Sequence, residues 1–214
     1  DNWQLARSAA TTIALERLRQ LGEPGAKPYV VTHWESEPLL ERRLQAAENL
    51  VPVATLRASP LAKQVTTWEV VVYPAGASVS EWTYRAELAL AGEVLALRLR
   101  VLPAAVGAPL EAAAARARAD RFLAEQGYDL GEFGEPELRT QQQAARTDTA
   151  VRYRYRQQLL GEEVPYGVQV TFAGDRLTGF LPYFEDPSAS RFASEIQPLV
   201  LLGRCESLLP LSCC

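Results

Sequence analysis

One stretch of this chain is written twice. Residues 5–22 (LARSAATTIALERLRQLG) lie over residues 110–127 (LEAAAARARADRFLAEQG), with Leu5, Ala9, Ala10, Ala14, Leu18 and Gly22 matched at one offset. Residues 84–103 likewise parallel residues 166–187, with Gly92 over Gly174, at a shorter offset. The first copy carries an extra segment at about 37–59 that accounts for the difference. A repeat constrains a fold more tightly than composition does, because both copies must use one element order and bury equivalent faces. The pattern implies a tandem duplication with one insertion.

Periodicity supplies the elements. Ala6, Ala10, Ile13, Ala14, Leu18 and Leu21 fall on one helical stripe, and Gly22 stands where a helix C-terminus wants a glycine. Ala112, Ala115, Ala119, Phe122 and Leu123 repeat that stripe, with Pro109 at the first-turn position and Gly127 closing it. The period then becomes two. Trp68, Val70 and Val72 alternate with Glu69, Val71 and Tyr73, and Trp82, Tyr84, Ala86, Leu88 and Leu90 alternate with polar neighbours. Leu95, Leu97, Leu99 and Val101 are expected on one face of the next strand. In the second copy strands are expected at about 137–143, 149–158, 164–173 and 176–184, with AGEV and AGDR as the two hairpin turns. Residues 29–34 read as a strand, and the insertion reads as a short helix with Pro38 near its start and Leu40, Leu44 and Ala47 on one face. Residues 103–109 (PAAVGAP) read as a linker.

The fold class that follows is α+β: two tandem modules, each an N-terminal helix packed on an antiparallel β-sheet of three or four strands. The first spans 1–105, the second 106–187, and 188–214 is an irregular tail. With 214 residues and 48% hydrophobic content the chain can bury a large core without staples, which excludes disordered, collagenous and disulfide-scaffold classes. No stretch reaches the roughly 20 uninterrupted apolar residues of a membrane helix. The absence of any Met fits a mature form, an excised domain or a fragment.

Candidate chemistry is sparse. His33 is the only histidine and, between Thr32 and Trp34, reads as a partly exposed strand residue, which leaves a Ser-His-Asp arrangement little to recruit. Cys205, Cys213 and Cys214 form no CxxC pair, so no tail metal site is expected. The Glu162-Glu163 pair in LLGEEVPYG reads as solvated turn acids. No glycine-rich phosphate cradle occurs, so no cofactor is expected. Trp3, Trp34, Trp68 and Trp82 read as core or core-edge residues.

The most unusual surface stretch is VRYRYR at 151–156. Alternation puts Arg152, Arg154 and Arg156 on one face and Val151, Tyr153 and Tyr155 on the other. Stacking aromatics and phosphate-seeking arginines therefore do not share a surface, and with a net charge of −4 nucleic acid is not an expected partner. Two readings remain: an arginine ladder paired with Glu or Asp on the wet side of a sheet, or a site for an acidic protein surface or anionic lipid head groups.

The alanine-striped helix ending in glycine, LLERRLQAAENL, TTWEVVVYP, AAARARADRFLAEQGYDL, ARTDTAVRYRYR and VQVTFAGDRLTGF together resemble the extracytoplasmic region of bacterial CPBP-family intramembrane metalloproteases, the CAAX-protease-like group. The resemblance covers roughly residues 3–187. It implies tandem PepSY-like or cystatin-like modules outside the membrane, attached to a multi-span catalytic domain. The family's Glu-Glu-x-x-x-Arg motif and later histidines are not matched, since Glu162-Glu163 is followed by Val164, Pro165, Tyr166 and Gly167. The expected role is thus non-enzymatic: a regulatory or substrate-presenting domain on the periplasmic or extracellular side, contacting a peptide, a protein or its own protease domain, with Arg152, Arg154 and Arg156 as the contact residues. A free-standing periplasmic PepSY-like binder or protease inhibitor is the competing expectation.

Overall fold

A computed structural model describes residues 5–22, 27–49, 51–76, 83–161 and 164–185. Trp3, Trp82, the Glu162-Glu163 pair and the cysteine-bearing tail 188–214 lie outside the described residues. In chain order the elements are α1 (Arg7–Leu18), β1 (Tyr29–Ser36), α2 (Pro38–Ala47), α3 (Val53–Ala58), β2 (Thr66–Tyr73), β3 (Tyr84–Ala89) and β4 (Val94–Leu99). They continue with α4 (Ala112–Glu125), β5 (Glu137–Gln142), β6 (Thr147–Arg154), β7 (Tyr166–Ala173) and β8 (Arg176–Phe184).

The fold is mixed α and β, built on one antiparallel sheet of eight strands in the order β1-β2-β3-β4-β8-β7-β6-β5. The first half of the chain supplies β1 to β4 and the second half β5 to β8. The two sets meet where Leu97 faces Phe180 and Arg98 faces Gly179. Joining the last strand of each set hides two edges that would otherwise present unpaired backbone groups. Gly179 is required at this join: its φ is +138°, and a Cβ there would collide with the Leu97 carbonyl oxygen.

Both long helices lie on one face of the sheet, α1 against β1 to β4 and α4 against β6 and β7. The repeated positions do the same work in each. Ala10, Ala14 and Leu18 are fully buried, and so are their matches Ala115, Ala119 and Leu123. Spacing of four places each trio on one stripe, and the alanines let the helix backbone approach the strands closely. Across the join Phe180 is fully buried and meets Phe122 edge-on, with ring centroids 5.6 Å apart, and Tyr128 at 6.0 Å. Full burial of one such side chain is worth roughly 1.5–3 kcal/mol. One hydrophobic cluster runs from Ala10 to Phe180 without interruption at the join.

Three expectations are corrected. The insertion forms two helices, α2 and α3, because Pro52 stands at the start of a second turn of chain. Both pack against the short 3₁₀ segment Ala62–Gln64 that leads into β2, and so sit at that end of the sheet. The alternation in β4 slips: Glu87 faces Ala96 but Leu88 faces Val94, a bulge that takes Leu95 out of phase with Leu97 and Leu99. Leu95 is buried yet outside the main cluster, while Val94 packs against it. Finally, β6 ends at Arg154, and beyond it Tyr155 makes only an isolated bridge to Phe133, so Arg156 is not a strand residue.

Candidate binding surface

The face turned away from α1 and α4 carries the charges. Its first patch lies on β1 to β4. Glu69 and Glu87 are directly opposite one another, as are Arg85 and Arg98, and the attraction runs along the diagonals. Arg85 Nη1 contacts Glu69 Oε1 at 3.0 Å, and Arg98 pairs with Glu87. His33 Nε2 stands 3.2 Å from Glu69 Oε2 and 3.5 Å from Glu35 Oε2. Burial pushes the Glu69 carboxyl above its ordinary range, and the nearby Arg85 and His33 only partly offset this. Val71 and Ala96 also lie on this face, and both are buried.

His33, Glu35 and Glu69 offer three metal-ligating atoms within 4.8 Å of one another. Arg85 supplies Glu69 with a positive partner, while His33 Nδ1 is buried without a hydrogen-bond partner among the described residues. The sequence marked His33 as a partly exposed strand histidine, and its side chain is 42% exposed on β1. Its acidic neighbour across the ladder, Glu69, carried no signal beyond alternation.

The second patch lies on β5 to β8 and contains the sequence-marked arginines. Val151, Tyr153 and Tyr155 turn into the core, as alternation requires. Arg152 and Arg154 share the opposite face, opposite Gln169 and Gly167 of β7. Arg152 is nearly buried: it pairs with Glu185, and its guanidinium carbon sits 3.9 Å from the Tyr183 ring centroid. Arg139 reaches the same Glu185 at 3.5 Å and bonds Glu137 at 2.9 Å. Arg154 is exposed, and Arg156 bends back to donate from Nε to the Phe133 carbonyl at 2.7 Å. The three arginines therefore differ: Arg152 is nearly buried against Glu185 and Tyr183, Arg154 is exposed, and Arg156 braces the chain beyond the strand.

A groove of about 580 Å³ borders this patch, lined among others by Val101, Arg139, Gln141, Asp148, Ala150 and Thr171. Residues 103–109, expected as a linker, run beside it and are pinned. Arg146 Nη1 donates to the Leu102 carbonyl at 2.7 Å and the Ala105 carbonyl at 2.6 Å, while Nε bonds Asp148 Oδ1 at 2.6 Å. The Arg146 side chain is only 3% exposed. No periodic signal distinguishes this arginine, since its acceptors lie some forty residues away in an irregular segment.

Burial raises several phenols, Tyr128, Tyr153, Tyr155 and Tyr166 on the helix side and Tyr183 beside Arg152. Tyr128 is pushed up to about 12, and Tyr153 also donates its hydroxyl to Asp120 at 2.7 Å. Among the described residues no helix is long and apolar enough to cross a membrane. No family model matches the chain, and no curated protein or solved structure is significantly similar to it.

Proposed function

We propose that this chain is a non-catalytic recognition domain made of two tandem helix-plus-sheet units, 1–105 and 106–187, fused through β4 and β8. The equivalent burial of Ala10 with Ala115, Ala14 with Ala119 and Leu18 with Leu123 supports the tandem reading. In this account the domain stands on the extracytoplasmic face of a bacterial membrane and regulates, or presents substrate to, an intramembrane metalloprotease of the CPBP type. That assignment rests on the sequence phrases quoted above.

The observation that carries the binding role is the groove bordered by the second charged patch, with Arg139 and Arg146 in its wall. Its volume lies within the range of sites that hold small or extended ligands. The partner in this reading is an acidic, extended peptide or the acidic surface of a neighbouring domain, which would exchange with Glu137 and Glu185 at the half-exposed Arg139 fork, and anionic lipid head groups share that chemistry. The helix side of the sheet is filled by α1 and α4, which leaves this face for contact.

The test is a titration with fluorescent extended peptides, acidic and neutral, and with vesicles containing or lacking anionic lipid. Saturable binding of an acidic probe, weakened at least tenfold by Arg139→Glu with the thermal transition unmoved, is the expected result. Equal binding of acidic and neutral probes, or hydrolysis of a peptide by the purified chain, would overturn it. Reading the genomic frame on both sides of this segment for membrane spans tests the protease attachment separately.

A further inference from the structure

The two edges of the sheet are built differently. β5 (ELRTQQ) is polar except for Leu138, which packs against the core, and carries the Glu137–Arg139 pair, the kind of charged edge that resists pairing with another chain. β1 (YVVTHWES) is less protected, with Glu35 its one carboxylate. It contains no Lys or Pro, pairs with β2 in unbroken register over eight residues, and shows Tyr29 at 67% and Trp34 at 43% exposure. These are two of the five exposed large hydrophobics among the described residues.

The direction of its free backbone groups follows from the ladder. Glu37 N–H donates to the Val65 carbonyl at 2.9 Å, continuing the register in which Ser36 faces Thr66. Hydrogen-bonded and non-bonded pairs alternate in an antiparallel ladder, so the odd residues of β1 bond β2 and the even ones point outward. Val30, Thr32 and Trp34 thus offer their N–H and C=O groups away from the sheet. Among the described residues no backbone group takes them up.

We propose that β1 is a homodimer seam: two copies of this chain pair antiparallel through β1 about a two-fold axis, with Thr32 opposite Thr32. A two-fold pairing must match outward residues with outward residues, which allows only alternate registers. The one centred on Thr32 sets Val30 opposite Trp34 of the second copy, twice by symmetry, so each exposed indole covers a valine on the helix side. On the other face Val31 meets His33 and Tyr29 meets Glu35. No like charges face each other. The register centred on His33 instead sets that histidine against itself, and the one centred on Val31 carries Trp34 past the end of the opposing strand. The Thr32 register forms about six backbone hydrogen bonds. A seam one strand wide falls at the small end of specific interfaces, so the dimer is concentration-dependent.

The experiment is sedimentation velocity on the full chain from about 5 to 500 µM, paired with amide exchange at both extremes. The expected result is a shift from monomer to dimer, with the amides of Val30, Thr32 and Trp34 protected at least tenfold more at the high concentration. Amides of Val31, His33 and Glu35 stay slow throughout because β2 holds them. Thr32→Pro removes one outward donor and leaves the β1–β2 bonds intact, and Trp34→Lys places a charge in the seam; each abolishes the dimer. Leu138→Pro, at an outward position on β5, leaves it unchanged. Should Thr32→Pro fail to fold, Trp34→Lys and the exchange pattern decide. A monomer at every concentration overturns the proposal, as does a dimer that survives Trp34→Lys or protects β5 instead.

Discussion

Removing the guanidinium of Arg146 tests whether residues 103–109 are a fastened strap or a loose linker. Arg146→Met keeps the aliphatic stem and deletes two bonds to strap carbonyls and a two-pronged pair with Asp148, at 2.6 and 3.3 Å. Breaking a buried pair by removing one partner costs about 3–5 kcal/mol. Asp148 is 28% exposed and Leu102 is largely so, which lets water replace part of what is lost. The expected loss is therefore about 3 kcal/mol, near the lower bound. With a urea slope of about 2 kcal/mol per molar, the unfolding midpoint falls by about 1.5 M. Arg146→Lys recovers less than half, because one ammonium cannot serve carbonyls and carboxylate in the geometry of a fork. Amide exchange adds a local readout: Ala105, which donates to Leu102 at 3.0 Å, exchanges faster in Arg146→Met before the global transition is approached. A loss below about 1 kcal/mol, or full rescue by lysine, would refute the reasoning.

Other perturbations address the join, the charged face and the buried phenols. Gly179→Ala, which forces a side chain against the Leu97 carbonyl at a positive φ, lowers stability by about 3 kcal/mol or more in urea unfolding. Gly76→Ala, with open space around it, costs about 1 kcal/mol; equal losses would show that the join tolerates a side chain. Arg85→Met leaves Glu69 buried without its arginine and costs about 3 kcal/mol, whereas Glu69→Gln stays within about 1 kcal/mol, since its raised pKa marks a carboxylate whose charge the fold already disfavours. The reverse order in thermal melts would sink that account. Tyrosines raised above their unfolded value of about 10 contribute stability that is complete below pH 10 and is lost as pH rises toward 12. Tyr128→Phe flattens this alkaline decline, and an unchanged slope would mean that the partly buried Tyr128 hydroxyl is not desolvated.

The extent to which the sequence disclosed this structure differs by element. The alternation in β6 was plain because a strand has only two faces: Val151 and Tyr153 had to go one way if Arg152 and Arg154 went the other. Phase was harder in β4, where a bulge moved Leu95 and no residue type announced it. The arginines illustrate the limit for the candidate site. Their sign and spacing were readable, yet Arg152 became nearly buried because Tyr183 on β8 and Glu185 just beyond its end, some thirty residues on, arrive beside it.

What the amino-acid order determined by itself was local: two alanine-striped helices, the strands after each, their wet and dry faces, and the glycine turns. These depend on interactions within a turn or two of chain, and a periodic pattern records them directly. Tertiary structure alone decided that β4 would meet β8, that β1 and β5 would be the remaining edges, and that Arg146 would fasten the segment between the halves. Those outcomes depend on pairing between residues far apart in the chain, where several partners satisfy the same local pattern and only the packing of the whole selects one.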